Sequence, residues 1–122
     1  MANILVVDDD ANNRLLVQAV AQHDGHVVRQ AASAEEALAF CAENDVDLLI
    51  LDLSLPGMDG TELLRRLRRE DRTRNIRVAL YTASGPNAAM KDFMEMYGVR
   101  HYIDKPVEPE NLQRAIERAL GG

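Results

Sequence analysis

The chain has 122 residues, of which 47% are hydrophobic and 28% are charged, and its formal net charge is -6. This size and composition are typical of one soluble globular domain that buries its own core. A negative net charge argues against bulk nucleic-acid binding. The single cysteine, Cys41, excludes an intramolecular disulfide. No apolar run approaches the roughly 18 residues of a membrane span, so we expect a cytoplasmic protein that does not contact a membrane.

Five apolar runs alternate along the chain with segments of helical periodicity. The runs predict strands at residues 4–7, 26–29, 47–52, 76–81 and 99–103. The first and third runs are continuously aliphatic, which is typical of central parallel strands covered on both faces. Five strand–helix units in this order predict an α/β fold, with an open, doubly wound parallel sheet and helices on both faces.

Helix starts agree with this periodicity. Ser33 and Glu36 have the spacing of a capping box, and so do Asp59 and Glu62. Pro109 suits the first turn of the last helix, where its missing N–H costs little. An arginine-rich run over residues 65–77 predicts mainly a solvated helix face, with partner or RNA contact as the alternative.

Acidic residues follow two of the predicted strands. Asp8 and Asp9 come after the first strand, and Asp52 ends the third. In open parallel sheets the functional site lies at the carboxyl ends of the strands, so these three carboxylates should converge there. Like charges so close together require a cation, and oxygen ligands favour Mg²⁺. The sequence contains no Cys and His set with zinc spacing.

The fourth and fifth strands bring different groups to the same edge. Thr82 offers a hydroxyl directly after the fourth strand, and Lys105 follows the fifth. A metal site flanked by a hydroxyl and an ammonium suits a phosphoryl group on a carboxylate, which makes Asp52 the candidate nucleophile. Taken singly, such residues more often cap helices or lie in solvent. Their coincidence at one sheet edge favours the chemical interpretation.

These segments, in this order, resemble the receiver domain of two-component response regulators over nearly the whole chain, residues 1–122. The matching segments are Ile-Leu-Val-Val-Asp-Asp-Asp at 4–10, Leu-Asp-Leu-Ser-Leu-Pro-Gly-Met-Asp-Gly at 51–60, Tyr-Thr-Ala at 81–83 and Tyr-Ile-Asp-Lys-Pro at 102–106. The resemblance implies a flavodoxin-like (βα)5 fold with strand order 2-1-3-4-5. It further implies a chain that catalyses its own aspartate phosphorylation and slow dephosphorylation and is not a metabolic enzyme.

The resemblance also assigns roles. Asp52 would accept a phosphoryl group from a sensor histidine kinase or a histidine phosphotransfer protein. Asp8, Asp9, Asp52 and the carbonyl of Ser54 would hold Mg²⁺. Thr82 and Lys105 would contact the phosphoryl group, and the Lys105–Pro106 peptide bond would be cis. We interpret Asp10, one place beyond the usual acidic pair, as a helix cap or an outer charge.

Signal output is the less determined part. Tyr102 resembles the family's switch aromatic, which turns inward when the threonine at position 82 moves; the simpler alternative is a half-exposed aromatic at a sheet edge. The resemblance implies that phosphorylation changes the surface of the fourth helix, fifth strand and fifth helix. That surface would act on a separate output protein or an attached effector domain, as a monomer or a phosphorylation-dependent dimer, without direct nucleic-acid binding.

Three other functions remain open from the residues. A phosphatase of the haloacid-dehalogenase type would place a second acid two positions after the nucleophile, where this chain has Ser54. A flavin-binding flavodoxin would need a phosphate loop after the first strand, where Asp8, Asp9 and Asp10 would repel an anion. The third alternative is a receiver-like interaction module that works without phosphorylation.

Overall fold

The computed structural model describes residues 1–53, 60–83 and 87–121. Strands and helices alternate along these residues. The strands are β1 Asn3–Val7, β2 Val27–Ala31, β3 Leu48–Leu51, β4 Arg77–Thr82 and β5 His101–Asp104. The helices are α1 Ala11–His23, α2 Ala34–Glu43, α3 Gly60–Arg69, α4 Ala88–Tyr97 and α5 Pro109–Gly121.

The five strands form one parallel sheet in the order β2-β1-β3-β4-β5. The predicted doubly wound α/β fold and its strand order are therefore confirmed. The central strands β1 and β3 are the two continuously aliphatic runs, and each has a neighbour on both sides. Their buried positions explain why the sequence pattern was clearest there.

Strand ends differ from the predicted ones where pairing does not need apolar side chains. β2 continues to Ala31, although Arg29 and Gln30 are polar. Both residues pair through their backbone with β1, and their side chains are exposed at the edge of the sheet. β5 begins only at His101 because the Val99 N–H bonds to the Met94 carbonyl, in the turn that ends α4 at Gly98 with φ of 68°.

Successive side chains along the strands point to opposite faces of the sheet and fill two cores. Leu49 and Leu51 of β3 pack on one face of the sheet, together with buried residues of α2 and α3. Leu48 and Ile50 point to the other face, where α1 and α5 supply the partners. Because both faces are covered, the carboxyl-terminal edge of the sheet is a place where polar groups can meet without disrupting a core.

Capping contacts agree in part with the sequence. The Ser33 hydroxyl accepts a hydrogen bond from the Glu36 N–H at 3.1 Å, but the Glu36 carboxylate accepts from the Ala32 N–H at 2.9 Å, one residue earlier than in a capping box. Pro109 begins α5 as predicted. The second predicted box begins at Asp59, which lies outside the described residues.

The arginine run is the predicted solvated helix face only within α3, because Arg72, Arg74 and Arg77 lie beyond its last residue, Arg69. Arg68 and Arg77 also bond to backbone carbonyls. Arg65 and Arg66 are exposed and form ion pairs with Glu62. Arg68 instead donates to the backbone carbonyls of Tyr97, Arg74 and Ile76 at 2.8–2.9 Å. It therefore joins the ends of α3 and α4 to the start of β4.

Cys41 is buried in the core beside α2's other apolar residues. Burial raises the pKa of its thiol to about 11, so the thiolate is scarce at neutral pH. Among residues 1–53, 60–83 and 87–121, no helix combines the length and apolar character that crossing a membrane requires.

Candidate functional site

The ends of β1 and β3 bring three carboxylates together. Val7 pairs with Leu51 across the two strands, so Asp8 and Asp52 leave the sheet side by side. Asp8, Asp9 and Asp52 each offer a carboxylate oxygen, and these atoms all lie within 4.8 Å of one another. Asp8 is fully buried and Asp52 is 6% exposed, whereas Asp9 is exposed. The cluster thus has a buried floor and an open side.

Lys105 reaches this cluster from the end of β5. Its Nζ donates to Asp8 Oδ2 at 2.6 Å and to Asp52 Oδ2 at 2.9 Å. Burial alone would lower the pKa of Lys105, but the hydrogen bonds to the two carboxylates outweigh it and raise that pKa above its usual value. The Lys105 side chain is therefore protonated and places a positive charge directly beside Asp52.

Tyr81, which the sequence analysis did not single out, lies beneath the lysine. Lys105 Nζ is 4.8 Å from the centre of the Tyr81 ring, within the range of a cation–π contact. The ring is buried in the core at the end of β4. The only sequence signal for this role was its position immediately before Thr82.

Thr82 occupies the last position of β4 and is 2% exposed. Its carbonyl accepts a hydrogen bond from the Lys105 N–H at 3.1 Å, which fixes where the lysine leaves the sheet. The Tyr102 hydroxyl also donates to this carbonyl, at 3.5 Å. The Lys105–Pro106 peptide bond is cis, as the resemblance implied.

Arg14 is a second residue that the sequence analysis missed. Its Nη1 donates to the Asp8 carbonyl at 2.7 Å and its Nε to Gln30 Oε1 at 3.0 Å. Asp10 caps α1 by accepting from the Asn12 N–H at 2.8 Å, while its own N–H donates to Asp8 Oδ1 at 2.9 Å. The prediction that Asp10 is a helix cap is therefore confirmed, and both residues hold Asp8 in place.

The structure thus brings together Asp8, Asp9, Asp52 and Lys105, and it places Thr82 and Tyr102 next to them. Ser54, the remaining predicted ligand, lies outside the described residues. Three carboxylates against one ammonium leave an excess of negative charge at a site made of oxygen donors. Ligands bonded to Mg²⁺ at 2.0–2.1 Å are at most about 4.2 Å apart. Small side-chain rotations would bring these oxygens to that spacing, so the site fits such an ion.

The comparison with protein families shows which family the chain belongs to. Residues 4–117 match the model of the response regulator receiver domain. The chain belongs to this family. The receiver domain is the signal-accepting module of two-component systems. The family membership that the sequence motifs indicated is therefore confirmed.

Individual relatives agree with this assignment. The receiver domain is 34% identical over 117 residues to sporulation initiation phosphotransferase F of Bacillus subtilis, covering 96% of this chain and 92% of that protein. It is 33% identical to the phosphate regulon transcriptional regulatory protein PhoB of Pseudomonas aeruginosa, where it covers 96% of this chain but 51% of the longer protein. The structure of chemotaxis protein CheY4 of Vibrio cholerae superposes with a TM-score of 0.91 at 29% identity, over 98% of this chain and 99% of that one.

Proposed function

We propose that residues 1–122 form one receiver domain that works as a phosphorylation-dependent switch, with Asp52 as the phosphoacceptor. The observation that carries this proposal is the ammonium of Lys105, held 2.9 Å from Asp52 Oδ2 inside a cluster of three carboxylates. An isolated acidic cluster would suit a metal alone. The added cation beside Asp52 suits a carboxylate that must also carry a phosphoryl group.

In the proposed reaction, an Asp52 carboxylate oxygen attacks the phosphorus of a phosphohistidine on a histidine kinase or phosphotransfer protein. A phosphorus–oxygen bond forms as the phosphorus–nitrogen bond breaks, and the leaving imidazole takes its proton from solvent. Mg²⁺ bound by Asp8, Asp9, Asp52 and the Ser54 carbonyl would neutralise charge on the phosphoryl oxygens. Hydrolysis of the product by water would reset the switch.

The chain's own residues prepare Asp52 for this reaction. Lys105 is oriented by Asp8, by Asp52 and by the Tyr81 ring, so its charge needs little reorganisation when the phosphoryl group arrives. Arg14 and the Asp10 N–H hold Asp8 from two sides. Thr82, at the end of the neighbouring strand, supplies the hydroxyl that would donate to a phosphoryl oxygen.

The phosphohistidine donor and the output partner follow from the family. Its relatives include a phosphotransferase and a transcriptional regulatory protein. The output would therefore pass through a separate protein or an attached effector domain. A cytoplasmic location would suit a chain whose single cysteine is a buried free thiol. In this proposal the domain binds neither nucleic acid nor a membrane directly.

Incubation with acetyl phosphate tests the phosphoacceptor. We expect intact-mass spectrometry to show one added phosphoryl group on the wild-type chain when Mg²⁺ is present, and almost none after chelation with EDTA. Asp52→Asn, which keeps the shape but removes the nucleophilic charge, should remain unmodified. An unmodified wild type, or equal modification of Asp52→Asn, would favour the interaction module that works without phosphate.

Tyr102 provides the test of signal output. Its hydroxyl contacts the Thr82 carbonyl, and its ring packs at the margin of the core beside α4, so a movement of Thr82 would reach the surface formed by α4, β5 and α5. We expect Tyr102→Ala to reduce the phosphorylation-dependent gain in partner affinity severalfold, which is a coupling of about 1 kcal/mol. Isothermal titration of the partner with and without beryllofluoride measures it. An unchanged ratio of the two affinities would make Tyr102 a simple edge aromatic.

A further inference from the structure

A cationic cavity of about 320 Å³ lies at the end of the sheet opposite to Asp52. Arg77 begins β4 and His101 begins β5, whereas the candidate site follows the last residues of the strands. The length of β4 separates the two ends by about 16 Å. The cavity is therefore distinct from the receiver site and has no part in the reaction proposed above.

The lining of this cavity is unusually basic for a chain of net charge -6. Among the described residues its lining contains four arginines and one histidine and no carboxylate: Arg68, Arg74, Arg77, Arg100 and His101. The apolar part of the lining comes from Ile76, Val78 and Ala119. Cationic groups around a partly apolar floor are the arrangement that binds a compact anion rather than a neutral ligand.

Two of the arginines are already fixed in position by backbone carbonyls. Arg68 donates to three of them, and Arg77 donates to the Leu120 carbonyl at the end of α5. Neither of these contacts neutralises the charge. Arg74 is the exception, because it pairs at 3.1 Å with Asp71, whose side chain is 93% exposed and does not line the cavity. The positive charge of the cavity is thus largely uncompensated within the part of the chain that the structure describes.

His101 lies in the electrostatic field of these same arginines. Burial lowers the pKa of its imidazole, and the positive charges of Arg118, Arg100 and Arg77 lower it further. These charges face it from α5, from the segment before β5 and from β4, and every charge that shifts it is positive. An anion in the cavity would offset them, so the imidazole serves as a built-in probe of occupancy.

We propose that this cavity is a binding site for a small diphosphate anion. A planar guanidinium group binds two phosphate oxygens at once. The cavity has four of these groups, which is more than a single phosphate would bind. The volume lies at the lower end of the range for small-molecule sites, about 300–1,000 Å³. Pyrophosphate and a nucleoside diphosphate share this chemistry, and the two differ only in whether a base reaches the apolar floor.

The test follows the His101 imidazole by proton NMR in the full chain, with His101→Gln to assign its signal. We expect millimolar pyrophosphate or ADP to raise the pKa of His101 and to give a saturable titration that weakens with added salt. ADP binding more tightly than pyrophosphate would show that the base contacts the floor, and equal affinities would show recognition of the diphosphate alone. Inorganic phosphate should bind at least about tenfold more weakly, because it loses one charge-assisted contact.

Two variants with the same change in net charge separate local binding from general attraction. Arg100→Gln removes an exposed cation of the cavity and should weaken diphosphate binding about tenfold. Arg66→Gln removes an exposed cation of α3 outside the cavity and should leave the affinity for diphosphate unchanged. The proposal is wrong if neither diphosphate shifts His101, if both variants lose affinity equally, or if a polyglutamate peptide shifts His101 while the diphosphates do not.

Discussion

Replacing Lys105 with methionine is expected to slow the phosphorylation of Asp52 by about a hundredfold. Without added metal it should also lower the free energy of unfolding by about 3 kcal/mol. The reason is that Lys105 forms ion pairs with two buried carboxylates. The side chains of Asp8 and Asp52 are 1% and 9% exposed, and that of Lys105 is 14% exposed. Removing the lysine leaves two like charges close together without their cation.

Mg²⁺ should restore much of the lost stability while leaving phosphorylation slow. A metal ion competes with the lysine for the same carboxylates, so the variant should bind Mg²⁺ more tightly and gain more stability from it than the wild type. Urea unfolding with and without Mg²⁺, together with acetyl phosphate kinetics, measures both effects. Lys91→Met is the matched control because Lys91 is exposed on α4. Equal gains from Mg²⁺ in Lys105→Met and the wild type would contradict this account.

Replacing Gly60 with alanine is expected to destabilise the chain by about 2 kcal/mol. Gly60 is the buried first residue of α3. A Cβ there would lie 2.9 Å from Leu53 Cα and 3.1 Å from the Asp52 carbonyl oxygen. Because these are backbone atoms, the chain beside the phosphoacceptor must shift, and we expect slower phosphorylation of Asp52 as well. Alanine's better helix propensity, at most about 1 kcal/mol, is too small to compensate.

Gly121→Ala provides the control for that propensity. Gly121 is the last residue of α5, and a Cβ there would meet nothing within 4 Å. This variant should be neutral or slightly more stable in chemical denaturation, and it should be phosphorylated at the wild-type rate. If Gly60→Ala were as stable and as reactive as Gly121→Ala, the close approach of α3 to Leu53 would have no energetic consequence.

Periodicity and polarity predicted the framework of the site because both are local properties. The aliphatic runs of β1 and β3 marked strands buried on both faces, and a parallel sheet then required their carboxyl ends to share one edge. The sequence alone therefore places Asp8 and Asp52 together. The same reasoning placed the ends of β2 and β5 less well, since Arg29 and Gln30 pair through their backbone and the Val99 N–H bonds to the end of α4.

The sequence by itself determined the fold class, the strand order through its family resemblance, and which carboxylates and which lysine face one another. Only the tertiary structure showed that Tyr81 supports Lys105, that Arg14 holds the Asp8 carbonyl and that four arginines surround a cavity at the far end of the sheet. These contacts depend on side-chain direction and on distances between elements far apart in the chain. A residue's type does not specify either quantity, so an arginine in solvent and an arginine that fixes a strand look alike until the helices are packed.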